Sequence, residues 1–195
     1  MVRVRSRRPR IVTWSALGTG PVGRLAAVML LLLASLSGLQ KAACAATSDS
    51  QMPQLEFIFE ETVLLGEGVG AGTTPLGDRF IIPIAGGTFE GPGDGTGFKG
   101  IIRPGGWDWQ LKRADGCVWA MADYMLQTDD GSVINVRNQG PMCPGRDGQP
   151  VLLTPVFEAP MGRYGWLNQS AFVARLEVVT SDGKPAVRIR FYRVH

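Results

Sequence analysis

Glycine and proline divide the chain after residue 45 into short apolar runs, and this spacing constrains the fold more than any other feature. Of the 26 Gly and 13 Pro in the sequence, 22 Gly and 11 Pro follow residue 45. No stretch there keeps apolar residues at helical spacing for more than two turns. Short runs separated by turn residues at regular intervals are typical of an all-β sandwich or barrel.

About nine of these runs have the composition of β-strands. Two Asp-Gly pairs, Asp130-Gly131 and Asp182-Gly183, predict tight hairpins, because that pair accepts positive φ. The second hairpin ends the chain. We predict loops at residues 66–72 and 139–150. The predicted strands are residues 55–63, 79–85 with a continuation at 87–89, 98–103, 107–112, 118–127, 132–138, 151–157, 171–180 and 185–194.

The first 45 residues have the features of a secretory signal peptide. They hold seven Lys and Arg and no Asp or Glu, and the apolar run at residues 25–36 is too short to span a bilayer as a helix. Ala43-Cys44-Ala45 has the form of a cleavage site, so we predict cleavage after Ala45 and export to the periplasm or the exterior. Arg10 disfavours the twin-arginine route relative to the general secretory route. Lipidation of Cys44 is an alternative that Lys41 disfavours.

The rest of the chain is predicted to be a flexible lead-in at residues 46–54 and one domain at residues 55–195. The leader holds seven of the 20 Lys and Arg and none of the 17 Asp and Glu, so the remainder has 13 against 17, a net charge of −4. The overall charge of +3 therefore comes from the leader, and no basic cluster follows it. We expect no nucleic-acid partner, and no membrane contact after the leader is removed.

Two cysteines, Cys117 and Cys143, remain after the leader, and both lie beside turn residues. An oxidising compartment allows such thiols to pair, and we predict a disulfide between them. The alternative is two free thiols whose α-carbons lie too far apart to be bridged.

Several common kinds of active site are disfavoured by what the sequence lacks. His195, at the C-terminus, is the only histidine, so a Ser-His-Asp or Cys-His site is not expected. A zinc site is not expected either, for want of imidazoles and of a cysteine cluster. The glycines at residues 66–72 do not follow the spacing of a phosphate-binding loop. We predict no metal and no cofactor, and a site built from carboxylates, arginines and aromatic residues.

Five motifs follow one another in the order found in one family of small bacterial and fungal proteins. They are GGTFEGP at residues 86–92, PGGWDWQ at 104–110, LQTDDG at 126–131, VRNQG at 136–140 and YGWLNQS at 164–170. On these motifs the chain, from about residue 55 onward, resembles domain-of-unknown-function family 3237. The resemblance implies a single antiparallel β-barrel of the allene-oxide-cyclase-like or calycin-like kind, with about 8–10 short strands and often oligomeric. Some fungal relatives are associated with lactone or pyrone formation, which implies a cyclase or hydro-lyase activity.

One strand departs from the pattern of that family. Where members tend to carry an Asp followed two residues later by an Arg, this sequence has Met121 and Asp123. If that Asp is catalytic in the family, this protein binds a ligand without transforming it.

Asp108 and Arg137 are the first candidates for catalysis. Asp108 lies between Trp107 and Trp109, and on a strand it takes the face opposite to both. An inward Asp108 would have a raised pKa suited to acid/base work, whereas at a strand start it would only accept backbone hydrogen bonds. Trp109 is a candidate ligand contact. Arg137 would bind a substrate carboxylate or enolate if it faces inward, and would be a solvated side chain if it faces outward.

The remaining candidates lie near the end of the predicted barrel. Glu158 follows an apolar strand and is either a second carboxylate at the barrel mouth or a surface charge. Tyr164, Trp166 and Asn168 fall at alternate positions, so an extended segment would place all three on one face. They would then form a pocket wall or a plug of core aromatics. Asn138 is expected to support a turn.

Three functions follow from these observations. The first is a metal-independent acid/base lyase, cyclase or hydrolase that acts on a small oxygenated molecule inside the barrel. The second is a periplasmic module that binds such a molecule without turnover. The third is a structural protein whose aromatic residues form only the core. A homo-oligomer is left open.

Overall fold

The computed structural model describes residues 52–92, 98–145 and 148–195. Ten strands and one 3-10 turn make up this part of the chain, and the predicted signal peptide lies outside the described residues. The strands are β1 (Leu55–Leu65), β2 (Val69–Thr74), β3 (Gly77–Glu90), β4 (Lys99–Ile102), β5 (Gly106–Lys112), β6 (Val118–Thr128), β7 (Val133–Met142), β8 (Val151–Glu158), β9 (Ala171–Ser181) and β10 (Lys184–Val194). The 3-10 turn is Gly165–Gln169.

The strands close into an antiparallel barrel with eight positions. β1 pairs with β10 on one side and with the second half of β3 on the other, which joins the two ends of the sheet. β2 pairs with the first half of β3, and β4 and β5 share the position between β3 and β6. From β6 to β10 each strand pairs with the next. The prediction of a single all-β antiparallel barrel is confirmed.

A cluster of phenylalanine rings fills part of the interior. The ring of Phe59 stacks on that of Phe191 with centroids 4.3 Å apart. It meets Phe98 edge-on at 5.1 Å, and Phe89 and Phe157 at 5.8 and 6.0 Å. All five side chains are buried. Burying one such side chain stabilises the folded state by roughly 1.5–3 kcal/mol, so the cluster stabilises the packing of the strands to which these residues belong.

The two Asp-Gly turns lie where the sequence predicts them. Asp182 and Gly183 have φ of 50° and 74°, as a two-residue hairpin turn with positive φ at both positions requires. Gly131, between β6 and β7, has φ of 86°. Both hairpins are therefore fixed by local turn chemistry.

Two of the predicted loops are wrong in part, because they contain strand residues. Glycine has no side chain, so a strand that contains several glycines shows no alternation of apolar and polar side chains in the sequence. β2 occupies residues 69–74 and pairs with β3 around a bulge between Gly70 and Gly72. β7 extends to Met142, into the segment predicted as a loop. At Gly140 a Cβ would lie 2.6 Å from the carbonyl oxygen of Leu152, so the close approach of β7 and β8 requires glycine there.

The predicted disulfide is present. Cys117, beside the start of β6, is bonded to Cys143, just after the end of β7, with 26 residues of sequence separation. In the chain-entropy account, closing a loop of that length in the unfolded state stabilises the fold by about 3–4 kcal/mol.

The part of the chain that the structure describes contains no helix with the length and apolar character needed to cross a membrane.

Candidate active site

Strand alternation brings polar side chains into the apolar interior at one place. On β1, Glu61 lies between the buried residues Phe59 and Val63, and on β7, Asn138 follows the buried Val136 by two positions. Glu61 and Asn138 are each only 1% exposed. A carboxyl or amide on an apolar face costs free energy unless its polar atoms find partners, so their surroundings decide what this cluster can do.

Glu61 is bound to Tyr124 of β6, whose hydroxyl donates a hydrogen bond to Glu61 Oε1. Burial raises the pKa of Glu61 from 4.5 to about 8, and the hydrogen bond from Tyr124 opposes that rise. The carboxyl is therefore mostly protonated at neutral pH. Its second oxygen, Oε2, is buried and has no hydrogen-bond partner.

Tyr124 occupies the centre of the cluster, with its phenol buried. Burial raises its pKa well above 10.0, and the charge of Glu61 adds to the rise. The amide of Asn138 approaches the hydroxyl closely enough to lower that pKa in part, but neither amide atom makes a hydrogen bond of normal geometry. Burial therefore keeps the phenol protonated, and its one proton is donated to Glu61.

Three buried polar atoms without partners, Glu61 Oε2 and both amide atoms of Asn138, therefore lie in one region of the barrel. Native proteins pair the large majority of such atoms, and each unpaired one costs about 1–3 kcal/mol. A buried water, or a bound molecule with hydroxyl or carbonyl groups, would satisfy them. This concentration of unpaired atoms marks the cluster as a candidate site.

Asp108 lies on a strand next to the cluster of Glu61, Tyr124 and Asn138. It lies opposite Ala122 of β6 in cross-strand register, and Ala122 in turn lies opposite Asn138. Its carboxylate accepts hydrogen bonds from Gln110 Nε2 at 2.8 Å and from the Met121 amide at 3.0 Å. Burial raises its pKa, which these hydrogen bonds oppose. Its charge also contributes to the raised pKa of Tyr124, so the two groups interact. Asp108 takes the face opposite to Trp107 and Trp109, as the alternation predicts, and it is half-buried; it also accepts the backbone hydrogen bond of the alternative interpretation.

Other predicted site residues lie on the outer face. Arg137 is exposed and stands directly opposite Asp123 and Val156, between the inward Val136 and Asn138. The inward orientation that a substrate-binding Arg137 requires is therefore not observed. Trp109 is 43% exposed on the face opposite to Asp108, and Glu158 is exposed at the end of β8. These three do not meet the interior cluster.

Gly165–Gln169 is a 3-10 turn, so the extended arrangement predicted for Tyr164, Trp166 and Asn168 is wrong. Tyr164 is buried and its hydroxyl donates to Asp130 Oδ2 at 2.9 Å. Asn168 binds both backbone groups of Ala159, at 2.8 and 2.9 Å, and so has a structural role. Trp166 lies under the guanidinium of Arg193, 5.5 Å from its ring centre.

Tyr164 and Trp166 do line one cavity, of about 490 Å³. Phe57, Phe98 and Arg193 form other parts of its wall. It presents an apolar body with a few polar groups, as small-molecule sites do, but Asn168 is not part of it.

Sequence reasoning missed Glu61 and Tyr124 and assigned Asn138 to a turn, which is wrong because Asn138 lies inside the barrel. A signal for Glu61 was present: it continues the inward alternation of Phe59 and Val63. A bulge in β1 between Phe57 and Phe59 shifts the register and breaks the simple alternation from the strand start.

No group of three or more His, Cys, Asp or Glu placed to hold a metal occurs in residues 52–92, 98–145 and 148–195. The absence of a metal or cofactor from the function stays a prediction.

Known proteins resemble this chain in sequence and in fold. A UPF0311 protein of Rhodopseudomonas palustris is 33% identical over 137 residues, which cover 62% of this chain and 87% of that protein. The crystal structure of a beta-barrel like protein from Acinetobacter baumannii has a TM-score of 0.61 and 30% identity, over 76% of this chain and 99% of the other. A hydroalkoxylation enzyme of Penicillium herquei is 27% identical over 116 residues, which cover 60% of this chain and 69% of that enzyme.

The profile of the family described as protein of unknown function (DUF3237) matches residues 53–194. That range includes every strand of the barrel and every residue of the interior cluster. The chain therefore belongs to the DUF3237 family.

Proposed function

We propose that the protein binds a small oxygenated organic molecule inside the barrel and transforms it by proton transfer, in the manner of a lactone cyclase or hydro-lyase. The observation that carries the proposal is the buried carboxyl of Glu61, held by Tyr124 through one oxygen and without a partner at the other. A general acid works best with a pKa near the working pH, and burial brings Glu61 to about 8.

Each polar group of the cluster has a role in this proposal. Protonated Glu61 gives its proton to the substrate and recovers one afterwards. Tyr124 keeps Glu61 in position through its hydrogen bond, and the amide nitrogen of Asn138 donates to the substrate oxygen on which charge develops, in a region where water is scarce and such bonds are strong. Asp108, more exposed and already hydrogen-bonded, is the second carboxyl and exchanges protons with solvent.

The fungal relative named a hydroalkoxylation enzyme supports this class of reaction. Hydroalkoxylation adds an O–H across a carbon–carbon double bond, so one proton leaves oxygen and one arrives at carbon. A single carboxyl with a pKa near neutrality can serve both transfers, because it is readily present in either protonation state.

The proposal predicts that Glu61→Gln abolishes turnover. Purified wild type, Glu61→Gln and the exposed control Glu158→Gln would each be incubated with hydroxy-alkenes and their cyclic ether and lactone products, and mass spectrometry would follow every compound. We expect wild type and Glu158→Gln to convert one compound at equal rates and Glu61→Gln to be at least about 100-fold slower.

Two other outcomes would contradict catalysis by Glu61. Conversion by Glu61→Gln at the wild-type rate would show that the acid/base lies elsewhere. Retention of a compound in proportion to protein, unchanged and equal in all three variants, would show a binding module.

That second candidate, binding without turnover, is favoured by the cavity that Tyr164, Trp166 and Arg193 line. It offers aromatic walls and a cationic group but places no buried carboxyl beside the ligand. A Trp166→Ala variant that loses retention, together with a Glu61→Gln variant that keeps it, would identify this cavity as the binding site.

We also propose that the protein works after export to the periplasm or the exterior. The Cys117–Cys143 disulfide supports this, because such bonds persist in oxidising compartments. The intact mass of protein recovered from the exported fraction is expected to lack the first 45 residues and to carry no free thiol. A full-length chain with free thiols, found only in the cytoplasm, would contradict export.

A further inference from the structure

One arginine in the wall of the cavity of about 490 Å³ has no acidic partner. Arg193 follows the buried Phe191 of β10 by two positions, so strand alternation directs it to the inner face near the end of the barrel. Its guanidinium lies 5.5 Å from the ring centre of Trp166. Among the residues described in the structure, Arg193 forms no salt bridge and no hydrogen bond through its side chain.

The contact with Trp166 holds the guanidinium of Arg193 in place without using its hydrogen-bond donors on an acid. A cation over an aromatic ring is attracted by the electrons of that ring. The N–H donors of a guanidinium form a planar fork that matches the two oxygens of a carboxylate. Because no described residue accepts from this fork, it is positioned and ready to bind an anion in the cavity.

The other charged side chains of the cavity wall already have partners. Glu56 is the only acid among the described residues that line the cavity, and its Oε2 lies 2.6 Å from Nε2 of His195. Arg163 lies 3.4 Å from Asp130, with its guanidinium 5.4 Å from the ring centre of Tyr164. The wall therefore has two guanidinium groups against one carboxylate, and this balance favours a negatively charged ligand.

The aromatic part of the wall is fixed by contacts outside the cavity. The ring of Tyr164 packs against Phe98 with centroids 5.7 Å apart, and its hydroxyl donates to Asp130 at 2.9 Å. The ring of Trp166 packs against Phe172 at 6.0 Å. Because these rings are already ordered, a ligand that packs against them loses little free energy to their immobilisation. Such a wall suits a flat apolar group.

We propose that this cavity binds an organic carboxylate with a flat apolar body: Arg193 holds the carboxylate, and the body packs against Tyr164 and Trp166. This inference rests on the second candidate function, ligand binding in this cavity, and is independent of catalysis by Glu61. A neutral ligand fits less well, because the guanidinium of Arg193 would still lack an anion. A small inorganic anion fits less well, because it would leave the aromatic wall uncovered.

Two probes that differ in charge and hardly in shape test the proposal: cinnamate and its neutral amide, cinnamamide. Isothermal titration calorimetry at neutral pH would measure the dissociation constant of each for wild type and for Arg193→Gln. We expect wild type to bind cinnamate at least about 10-fold more tightly than cinnamamide, because a hydrogen bond to a charged group is stronger than a neutral one. Arg193→Gln is expected to bind both probes equally, with the wild-type affinity for the amide.

Three further variants separate charge, packing and folding. Arg193→Lys keeps the charge without the planar fork and is expected to keep part of the preference for cinnamate. Trp166→Ala is expected to weaken the binding of both probes about 5-fold, since it removes a ring that packs against the ligand. Arg175→Gln, on β9 and outside the cavity, is the matched control and is expected to bind like wild type. Circular dichroism is expected to show a folded barrel in every variant.

The results that would overturn the inference differ from those that would also overturn binding in this cavity. Equal affinity of wild type for cinnamate and cinnamamide, weakened for both by Trp166→Ala, would refute the choice of a carboxylate and leave the cavity as a binding site. Binding of neither probe by wild type would refute both. So would binding that Arg193→Gln and Trp166→Ala leave unchanged.

Discussion

The free energy of unfolding is expected to decrease as the pH rises from about 4.5 to about 8, and Glu61→Gln is expected to lose most of that dependence and to keep only the part that comes from Asp108, whose pKa burial also raises. Burial raises the pKa of Glu61 in the folded state, so over this range the folded protein holds a proton that the unfolded chain has lost. The contribution of Glu61 to the free energy of unfolding is complete below the pKa that Glu61 has in the unfolded chain. It is lost as the pH rises through the pKa that Glu61 has in the folded protein. At about 1.4 kcal/mol per pH unit it amounts to about 5 kcal/mol.

Urea denaturation at a series of pH values would measure this, with linear extrapolation to water at each. Glu158→Gln, on the outer face, is the control and is expected to keep the wild-type slope. Asp130 does not interfere, because hydrogen bonds from Thr128 and the Ser132 amide lower its pKa, so its effect falls at acid pH. If Glu61→Gln kept the wild-type slope between pH 4.5 and 8, Glu61 would not be the group responsible.

Replacing Phe59 by Ala is expected to destabilise the protein by about 3–5 kcal/mol at a fixed pH near 5. The ring is fully buried and packs against four other phenylalanine rings, so its removal leaves a cavity that strands fixed in a closed barrel cannot collapse to fill. The free energy of unfolding from urea denaturation gives the loss directly.

Phe57→Ala is the matched control for Phe59→Ala, since Phe57 lies on the same strand but is 37% exposed. Its ring makes an edge contact with Tyr192, so a loss of about 1 kcal/mol is expected. Equal losses for the two variants would contradict the central place of Phe59 in the core.

The fold was largely readable from the sequence because its signals are local. The Asp-Gly turns, the alternation of Ile134 and Val136, and the apolar runs each depend on a few neighbouring residues. β2 was not predicted, because its glycines have no side chains that could alternate between two faces. Its hydrogen bonding to β3 is what makes it a strand. The 3-10 turn was not predicted, because tertiary contacts hold it. Tyr164 binds Asp130, and Asn168 binds Ala159.

The site was only partly readable, because its chemistry arises from contacts between distant strands. The position of Asp108 on the face opposite to Trp107 and Trp109 followed from alternation, but which of the two faces is the inner one did not. Glu61 and Tyr124 are 63 residues apart, and only barrel closure brings the carboxyl and the phenol together. Arg137 and Asn138 are adjacent in sequence and face opposite sides of β7. A prediction that shifts the inward positions of this strand by one residue therefore places the wrong one of the two in the interior.

The central claim is that Glu61 carries a proton at neutral pH inside the barrel. The most direct test is to label the glutamate side-chain carboxyl carbons with ¹³C and follow their NMR signals across the pH range. Comparison with Glu61→Gln assigns the relevant signal. We expect that signal to titrate with a midpoint near 8, as its burial requires. A Glu61 signal that titrates near the ordinary value of 4.5 would show an ionised carboxylate at neutral pH and would contradict the account.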